Sequence, residues 1–301
     1  HCAFGLSVFV DTRSYVYVSD SGSDSNNGLS PEAPKKTLSA AAALCKDGDW
    51  IKVVGTYTST NGEKLSLDGG TLRITGYDET SKFISYRAVL TGEVEFSDII
   101  LGRCDGAEVP LRVNGQNLTI GAGVSFDESY TQNGTAATKR LTIAQHDYTE
   151  VNGANSTINI SSGNIGLLYA GNNYGNASGD VKINISGTPT IGTVALNHHS
   201  NPKSVFTGNA TVTIDGGPIN EAIIGSASKG GSDGTMLFVI NGGTVNNLYT
   251  TTRTGGNYGG DYTHEAVMQS GVNIFEINGG TFPGKTVNRG GLDPEATRVV
   301  I

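Results

Sequence analysis

A short sequence pattern recurs along the second half of this 301-residue chain and restricts its fold more than any other feature. The pattern is an apolar residue, any residue, an isoleucine, a small polar residue and, within two positions, a glycine. A second apolar segment follows. Its isoleucines are Ile160, Ile185, Ile214, Ile240 and Ile277. Their spacing of 25, 29, 26 and 37 residues is typical of solenoids, propellers and other repeat arrays.

The content of each repeat selects among these architectures. Each unit has two short apolar segments, whereas a propeller blade needs four strands. No helix-period segment of 10 to 12 residues separates the units, which argues against helical and leucine-rich repeats. The glycines permit a sharp corner between the two strands, and stacked units would pair equivalent strands in parallel. We therefore predict an all-β fold, a single-stranded right-handed parallel β-helix with its isoleucines in a buried ladder.

An N-terminal module precedes the repeats. It contains a strand ending in Val-Ser, a turn rich in Ser, Asp and Asn, two prolines, Thr-Leu, an Ala-rich helical segment, and then Gly-Asp-x-Ile and Gly-Thr-Tyr. The corresponding positions are Val18-Ser19, Gly22 to Gly28, Pro31, Pro34, Thr37-Leu38, Ala40 to Leu44, Gly48-Asp49, Ile51 and Gly55-Thr56-Tyr57. Over these roughly 45 residues the chain resembles the N-terminal module of secreted right-handed parallel β-helix proteins, polysaccharide lyases among them; Lys35 departs from the pattern.

An N-terminal module followed by repeats predicts one continuous domain with a cap at its N-terminal end. Residues 1–50 are predicted to form an N-terminal strand and a short capping helix, and residues 51–301 to form the coils. A helix laid over the first coil would shield its open strand edge and its apolar interior. The resemblance implies a secreted or cell-surface protein whose partner is a polysaccharide or another glycan.

Charge narrows the partners further. The formal net charge is −8 and the pI is about 5.1, so nucleic acid is not expected as a partner, because phosphate binding needs clustered Lys and Arg. The three cysteines, Cys2, Cys45 and Cys104, do not form a metal-binding pattern. One disulfide or three free thiols are equally consistent with their spacing.

Candidate catalytic residues lie in the acidic segments before the clearest repeats. They are Asp127, Glu128, Asp147 and Glu150. A pair of carboxylates with a neighbouring base would suit general acid–base chemistry, and the resemblance to lyases implies calcium held by such a cluster. A solvated acidic face explains the same residues equally well.

The Asx-rich turn of the cap offers a weak metal site. Asp24 and Asn26 present oxygen ligands that would suit calcium, whereas a purely structural turn is the alternative. No other cofactor is expected.

Insertions provide the candidate ligand-binding residues. They follow the second strand of successive repeats, so in a stacked solenoid they would emerge on one face. The candidates are Asn172, Tyr174, His198, His199, Arg253 and Tyr258. Aromatic rings stack on sugars and amides bond sugar hydroxyls, so non-catalytic polysaccharide binding or adhesion is favoured; insertions that serve only as exits from the coil are the alternative.

Two further functions stay open at this point. One is a polysaccharide lyase or glycoside hydrolase that uses the acidic residues. The other is a structural, self-assembling surface or filament protein, in which the apolar residues 2–10 pair end to end with an open coil of a neighbour.

Overall fold

A computed structural model confirms an all-β parallel β-helix. It describes residues 14–104, 106–127, 141–197, 205–226, 231–249, 272–284, 286–287 and 297–300. The described part of the chain contains one α-helix, α1, over Leu38–Ala42. No helix in these residues is long and apolar enough to cross a membrane.

The strands form four sheets, and every neighbouring pair of strands within them is parallel. Sheet 1 contains β1 (Tyr15–Val18), β2 (Trp50–Val53), β5 (Leu72–Gly76), β8 (Val94–Ser97), β11 (Leu118–Ile120), β14 (Thr157–Ile160), β17 (Val181–Ile185), β20 (Ala210–Ile214), β23 (Met236–Ile240), β25 (Asn273–Ile277) and β27 (Thr297–Val300). Sheet 2 contains β4 (Lys64–Leu65), β7 (Ala88–Leu90), β10 (Leu111–Arg112), β13 (Thr142–Ala144), β15 (Asn164–Tyr169), β18 (Thr190–Asn197), β21 (Pro218–Ser226), β24 (Thr244–Tyr249) and β26 (Thr286–Val287). Sheet 3 contains β3 (Thr56–Thr58), β6 (Lys82–Ser85), β9 (Ile100–Arg103) and β12 (Ser125–Phe126). Sheet 4 contains β16 (Ala177–Ser178), β19 (Val205–Thr207) and β22 (Gly231–Asp233).

The predicted isoleucine ladder exists and lies in sheet 1. Its members are paired in register from one coil to the next: Ile160, Ile185, Ile214, Ile240 and Ile277. The first four are buried and the last packs against the same core. Alternation along each strand turns these side chains inward and leaves the residues between them on the outside.

The shape of the coil changes along the axis. In the early coils a strand of sheet 1 is followed by one of sheet 3 and then one of sheet 2, as in β5, β6 and β7. Later a strand of sheet 1 leads directly to sheet 2 and then to sheet 4, as in β14, β15 and β16. Val151 pairs with Ala177 where sheet 4 begins. The change places new corner loops between sheets 2 and 4.

The cap is joined to the first coils by polar contacts. Thr37 is the N-cap of α1, and its side chain accepts from the Ala40 N–H. The Leu38 N–H donates to the Tyr57 hydroxyl at 3.1 Å, and that hydroxyl donates to Glu63 at 2.6 Å. Since β1 is also the first strand of sheet 1, the cap is continuous with the coils. Cys45 at the end of this region is a free thiol whose pKa burial raises to about 11.

Candidate functional site

Two successive corner loops lie directly on each other between sheets 2 and 4. The first, residues 145–150, follows β13, and the second, residues 171–176, follows β15. The Asn173 N–H donates to the carbonyl of His146 at 2.9 Å, and the Tyr174 N–H donates to the carbonyl of Asp147 at 2.8 Å. The loops therefore continue the coil-to-coil stacking beyond the strands. We call these two segments the aromatic corner.

The outer surface of the aromatic corner is a pair of stacked tyrosines. The rings of Tyr148 and Tyr174 are nearly parallel, with 4.6 Å between centroids and 8° between planes. Tyr148 is 69% exposed, whereas Tyr174 is half-buried. An exposed ring held flat in this way is a rigid apolar surface with a polar tip.

A buried ion pair lies beside the rings. The guanidinium of Arg112, from β10, bonds the carboxylate of Asp147, and the two side chains are only 12% and 3% exposed. The amide of Asn173 lies 3.5 Å from the same carboxylate. The ion pair thus ties the first corner loop to the preceding coil and fixes the backbone on which Tyr148 is carried.

Asn172 organises the second corner loop from within. It is fully buried, and its Nδ2 donates to the carbonyls of Thr149 at 2.8 Å and Asn176 at 2.6 Å. Of the two predicted ligand-binding residues in this loop, Asn172 therefore shapes the backbone and Tyr174 supports the exposed ring.

Two charged residues of the earlier coils, Arg87 and Glu108, act on the phenol of Tyr148 through their charges. Arg87 donates through Nη2 to the carbonyl of Gly106 at 2.7 Å, which holds it against the loop that carries the exposed Glu108. Partial burial, followed by the negative charges of Glu108 and Asp147, raises the pKa of the Tyr148 phenol, and Arg87 opposes this shift. Sequence reasoning missed Arg87 and Glu108, since neither belongs to a repeat or to an acidic cluster.

His146 is held neutral beside the ion pair of Arg112 and Asp147. Burial and the positive charge of Arg112 lower its pKa to about 4, while Asp147 acts in the opposite direction. Its Nδ1 accepts a hydrogen bond from the Asp147 N–H at 2.9 Å. That nitrogen therefore serves the loop and is not presented to a ligand.

The candidate catalytic carboxylates occupy separate places. Asp127 follows β12 in sheet 3 and binds Lys82 at 2.8 Å, whereas Asp147 follows β13 in sheet 2 and binds Arg112. Glu150 is exposed at the end of the first corner loop. Both aspartates are thus engaged by a cation from their own sheet.

The candidate metal ligands take part in the structure of the cap. Asp24 accepts hydrogen bonds from the backbone N–H groups of Lys36 and Thr37 and from the Thr37 hydroxyl. These bonds, led by that from the Thr37 backbone, lower its pKa. Asn26 donates to the carbonyl of Pro34 at 2.9 Å. Within the described residues no group of three or more His, Cys, Asp or Glu side chains is arranged to hold a metal ion.

Five other candidates lie outside the described residues: Glu128, His198, His199, Arg253 and Tyr258. No protein-family model, no curated protein and no solved structure matches the chain. The fold is therefore known from the structure itself, and the function has to be inferred from the aromatic corner.

Proposed function

We propose that this protein is a secreted or cell-surface β-helix that binds polysaccharide at the aromatic corner without cleaving it. The observation that carries the proposal is the exposed ring of Tyr148 stacked on Tyr174. A pyranose ring presents C–H groups on its faces and hydroxyls at its rim. It matches a flat aromatic surface bordered by polar groups.

The surroundings of Tyr148 favour binding because they restrict its motion before a ligand arrives. Tyr174 supports one face of the ring, and the Arg112–Asp147 pair holds the loop below. Side chains that are already ordered lose little entropy when they bind, so more of the contact free energy appears as affinity. The extracellular location rests on the N-terminal module, which resembles that of secreted β-helix proteins.

Non-catalytic binding is preferred to cleavage because two of the candidate catalytic carboxylates are bound in ion pairs. A general acid or base needs a proton-exchanging group that can reach the substrate. Asp147 is buried in an ion pair, and Asp127 is bound to Lys82. A polysaccharide lyase or glycoside hydrolase is the competing proposal, and the experiment below distinguishes binding from cleavage.

The test is affinity electrophoresis in gels that contain soluble polysaccharides, with Tyr148→Ala as the variant. We expect about 5-fold weaker binding than for the unmodified protein, because a lost aromatic stack costs of the order of 1 kcal/mol. Tyr77→Ala is the matched control, since Tyr77 is 45% exposed and packs edge-on against Tyr17 in the N-terminal region.

Retardation that is equal for Tyr148→Ala and the unmodified protein would contradict the proposal. Light scattering of the same polymers, with and without calcium, tests cleavage. A falling polymer mass would show an enzyme and replace binding by the competing proposal.

A further inference from the structure

Asp147 holds the aromatic corner together through each of its polar groups. Its carboxylate is bound by Arg112 of β10. Its carbonyl accepts the N–H of Tyr174, on the second corner loop, at 2.8 Å. Its own N–H donates to Nδ1 of the His146 imidazole at 2.9 Å. The exposed ring belongs to the next residue, Tyr148, so the position of the Asp147 backbone sets the position of that ring.

The hydrogen bond between His146 and the Asp147 N–H exists only while the imidazole is neutral. A ring nitrogen that accepts a hydrogen bond carries no proton, so the proton of neutral His146 is on Nε2. A second proton can therefore bind only at Nδ1, the atom that accepts the Asp147 N–H. Protonation turns this acceptor into a donor, and two donors then face each other. The hydrogen bond is lost, and the backbone that carries Tyr148 has to move until the Asp147 N–H finds another acceptor.

The charged groups around the ring keep this bond intact at neutral pH. Burial and the positive charge of Arg112, from β10, lower the pKa of His146 to about 4, and Asp147 of the same loop opposes them. The second corner loop, residues 171–176, packs on His146 through the Asn173 N–H and contains no acidic or basic side chain. A protonated imidazole would therefore compete with the Arg112 guanidinium for the Asp147 carboxylate.

We infer that His146 positions the stacked tyrosines for sugar binding through its unprotonated Nδ1, and that protonation of this nitrogen releases the bound polymer. This inference rests on the proposed function. His146 is a positioning residue, because it acts through the Asp147 backbone, which carries Tyr148 and binds Tyr174. Only the neutral form presents the ordered stack, so the observed affinity is the intrinsic affinity multiplied by the neutral fraction. Binding is therefore strongest near neutral pH and weakens as the solution becomes acidic.

The experiment measures the affinity for a neutral β-glucan by calorimetry at a series of pH values from 7 to 3.5, with circular dichroism at each pH to confirm that the protein is folded. A neutral polymer has no group of its own that titrates in this range. His146→Asn is the test variant, because its amide keeps a hydrogen-bond acceptor near the position of Nδ1 and does not titrate. Tyr148→Ala reports any binding that does not use the aromatic corner.

We expect the dissociation constant of the unmodified protein to stay constant from pH 7 to 6 and then to rise about 2-fold by pH 4 and about 4-fold by pH 3.5. The reason is that a pKa of about 4 leaves about half, and then about a quarter, of the molecules with a neutral His146. Within each of the two variants, His146→Asn and Tyr148→Ala, the dissociation constant should not change over the same range.

Nitrogen-15 NMR of the His146 ring gives a second readout. At pH 7 the spectrum should show the tautomer with its proton on Nε2. Saturating glucan should move the titration of His146 to lower pH, because the coupling between the proton and the polymer is reciprocal. A histidine with a merely structural role would titrate at the same pH with and without the polymer.

Either of two results would overturn the inference. One is an affinity that falls as steeply in His146→Asn as in the unmodified protein. The other is a titration of His146 that saturating glucan leaves unchanged. In both cases, glucan binding at pH 7 that depends on Tyr148 leaves the proposed function standing. If the glucan does not bind at pH 7, or binds independently of Tyr148, the proposed function fails and the inference fails with it.

Discussion

The contact with the greatest effect at the residue scale is the buried pair between Arg112 and Asp147. A buried ion pair adds little net stability when intact, because desolvation offsets the attraction of the charges. Removing one partner is different, since the other charge stays buried without compensation. An enzyme that used Asp147 would lose activity without unfolding when this residue is replaced. The structure indicates instead that replacing Asp147 destabilises the fold itself.

We predict that Asp147→Asn lowers the free energy of unfolding by about 3 kcal/mol or more, because it leaves the Arg112 guanidinium without a counter-charge. Urea unfolding followed by circular dichroism measures this. The control is Lys82→Met, in the ion pair where Lys82 is 36% exposed and Asp127 15% exposed. That change should cost about 1 kcal/mol or less. Equal losses in the two variants would contradict the role assigned to the buried pair.

His146 gives the aromatic corner a dependence on pH. Its pKa is lowered from 6.5 to about 4 in the folded protein, so the unfolded chain binds more protons between these values. Stability should therefore fall as the pH is lowered from 6.5 towards 4. We predict that His146→Gln flattens the pH dependence of the melting temperature in this window. A variant whose melting temperature falls as steeply as that of the unmodified protein would show that His146 is not responsible.

At the scale of elements, the corners between sheets 4 and 1 depend on a ladder of glycines. Gly179, Gly208 and Gly234 occupy equivalent positions in three coils, with φ values of 125°, 132° and 122°. A Cβ at Gly208 would lie 2.1 Å from the carbonyl oxygen of Gly179. The backbones of successive coils approach too closely here for a side chain. The Gly-Gly corners after sheet 1 were visible in the sequence, whereas this ladder was not, because its glycines stand alone.

We predict that Gly208→Ala destabilises the protein by about 3 kcal/mol or more, since both the backbone conformation and the contact forbid a Cβ. Gly153→Ala is the control. Gly153 also has a positive φ, of 69°, but nothing lies within 4 Å of the added Cβ, so only about 1 kcal/mol of strain is expected. Urea unfolding of both variants separates the cost of the steric contact from the cost of the backbone strain. Similar losses of unfolding free energy in the two variants would show that the coils can accommodate a Cβ at Gly208.

The small polar position of the repeat also has a structural role at this scale. Asn241 donates to Asp215 at 2.7 Å, and Asn278 donates to Asn241 at 2.8 Å, each from one coil to the next. Asp215, which directly follows Ile214, therefore accepts at one end of a ladder of side chains that runs along the corner. Such ladders satisfy side chains between coils and help to set their register.

At the scale of the whole molecule, each coil contacts its neighbours through the parallel sheets and shares one core. The early coils are built from sheets 1, 3 and 2, whereas the later coils are built from sheets 1, 2 and 4. The two halves of the β-helix therefore differ in cross-section. The aromatic corner lies at this change: its first loop follows β13, on the coil that still contains β12 of sheet 3, and its second loop follows β15, on the first coil with a strand of sheet 4. End-to-end self-association through residues 2–10 stays a prediction, because these residues lie outside the described part of the chain.

The fold class and the isoleucine ladder of the core follow from the repeat alone. Apolar residues at a repeat of 25 to 37 residues can be buried together only if equivalent strands stack, and the register of Ile160, Ile185 and Ile214 follows directly. Asp147 and Tyr174 were also recognised from the sequence, but for unrelated reasons: one as an acid, the other as an insertion.

That Asp147 and Tyr174 belong to one site follows from the stacking of the coils. Tyr148 meets Tyr174, and Arg112 meets Asp147, because the length of each loop sets which residues of successive coils coincide at the corner. Loop lengths vary without a repeat, so their side chains come into register through packing of the coils, which no local sequence pattern records.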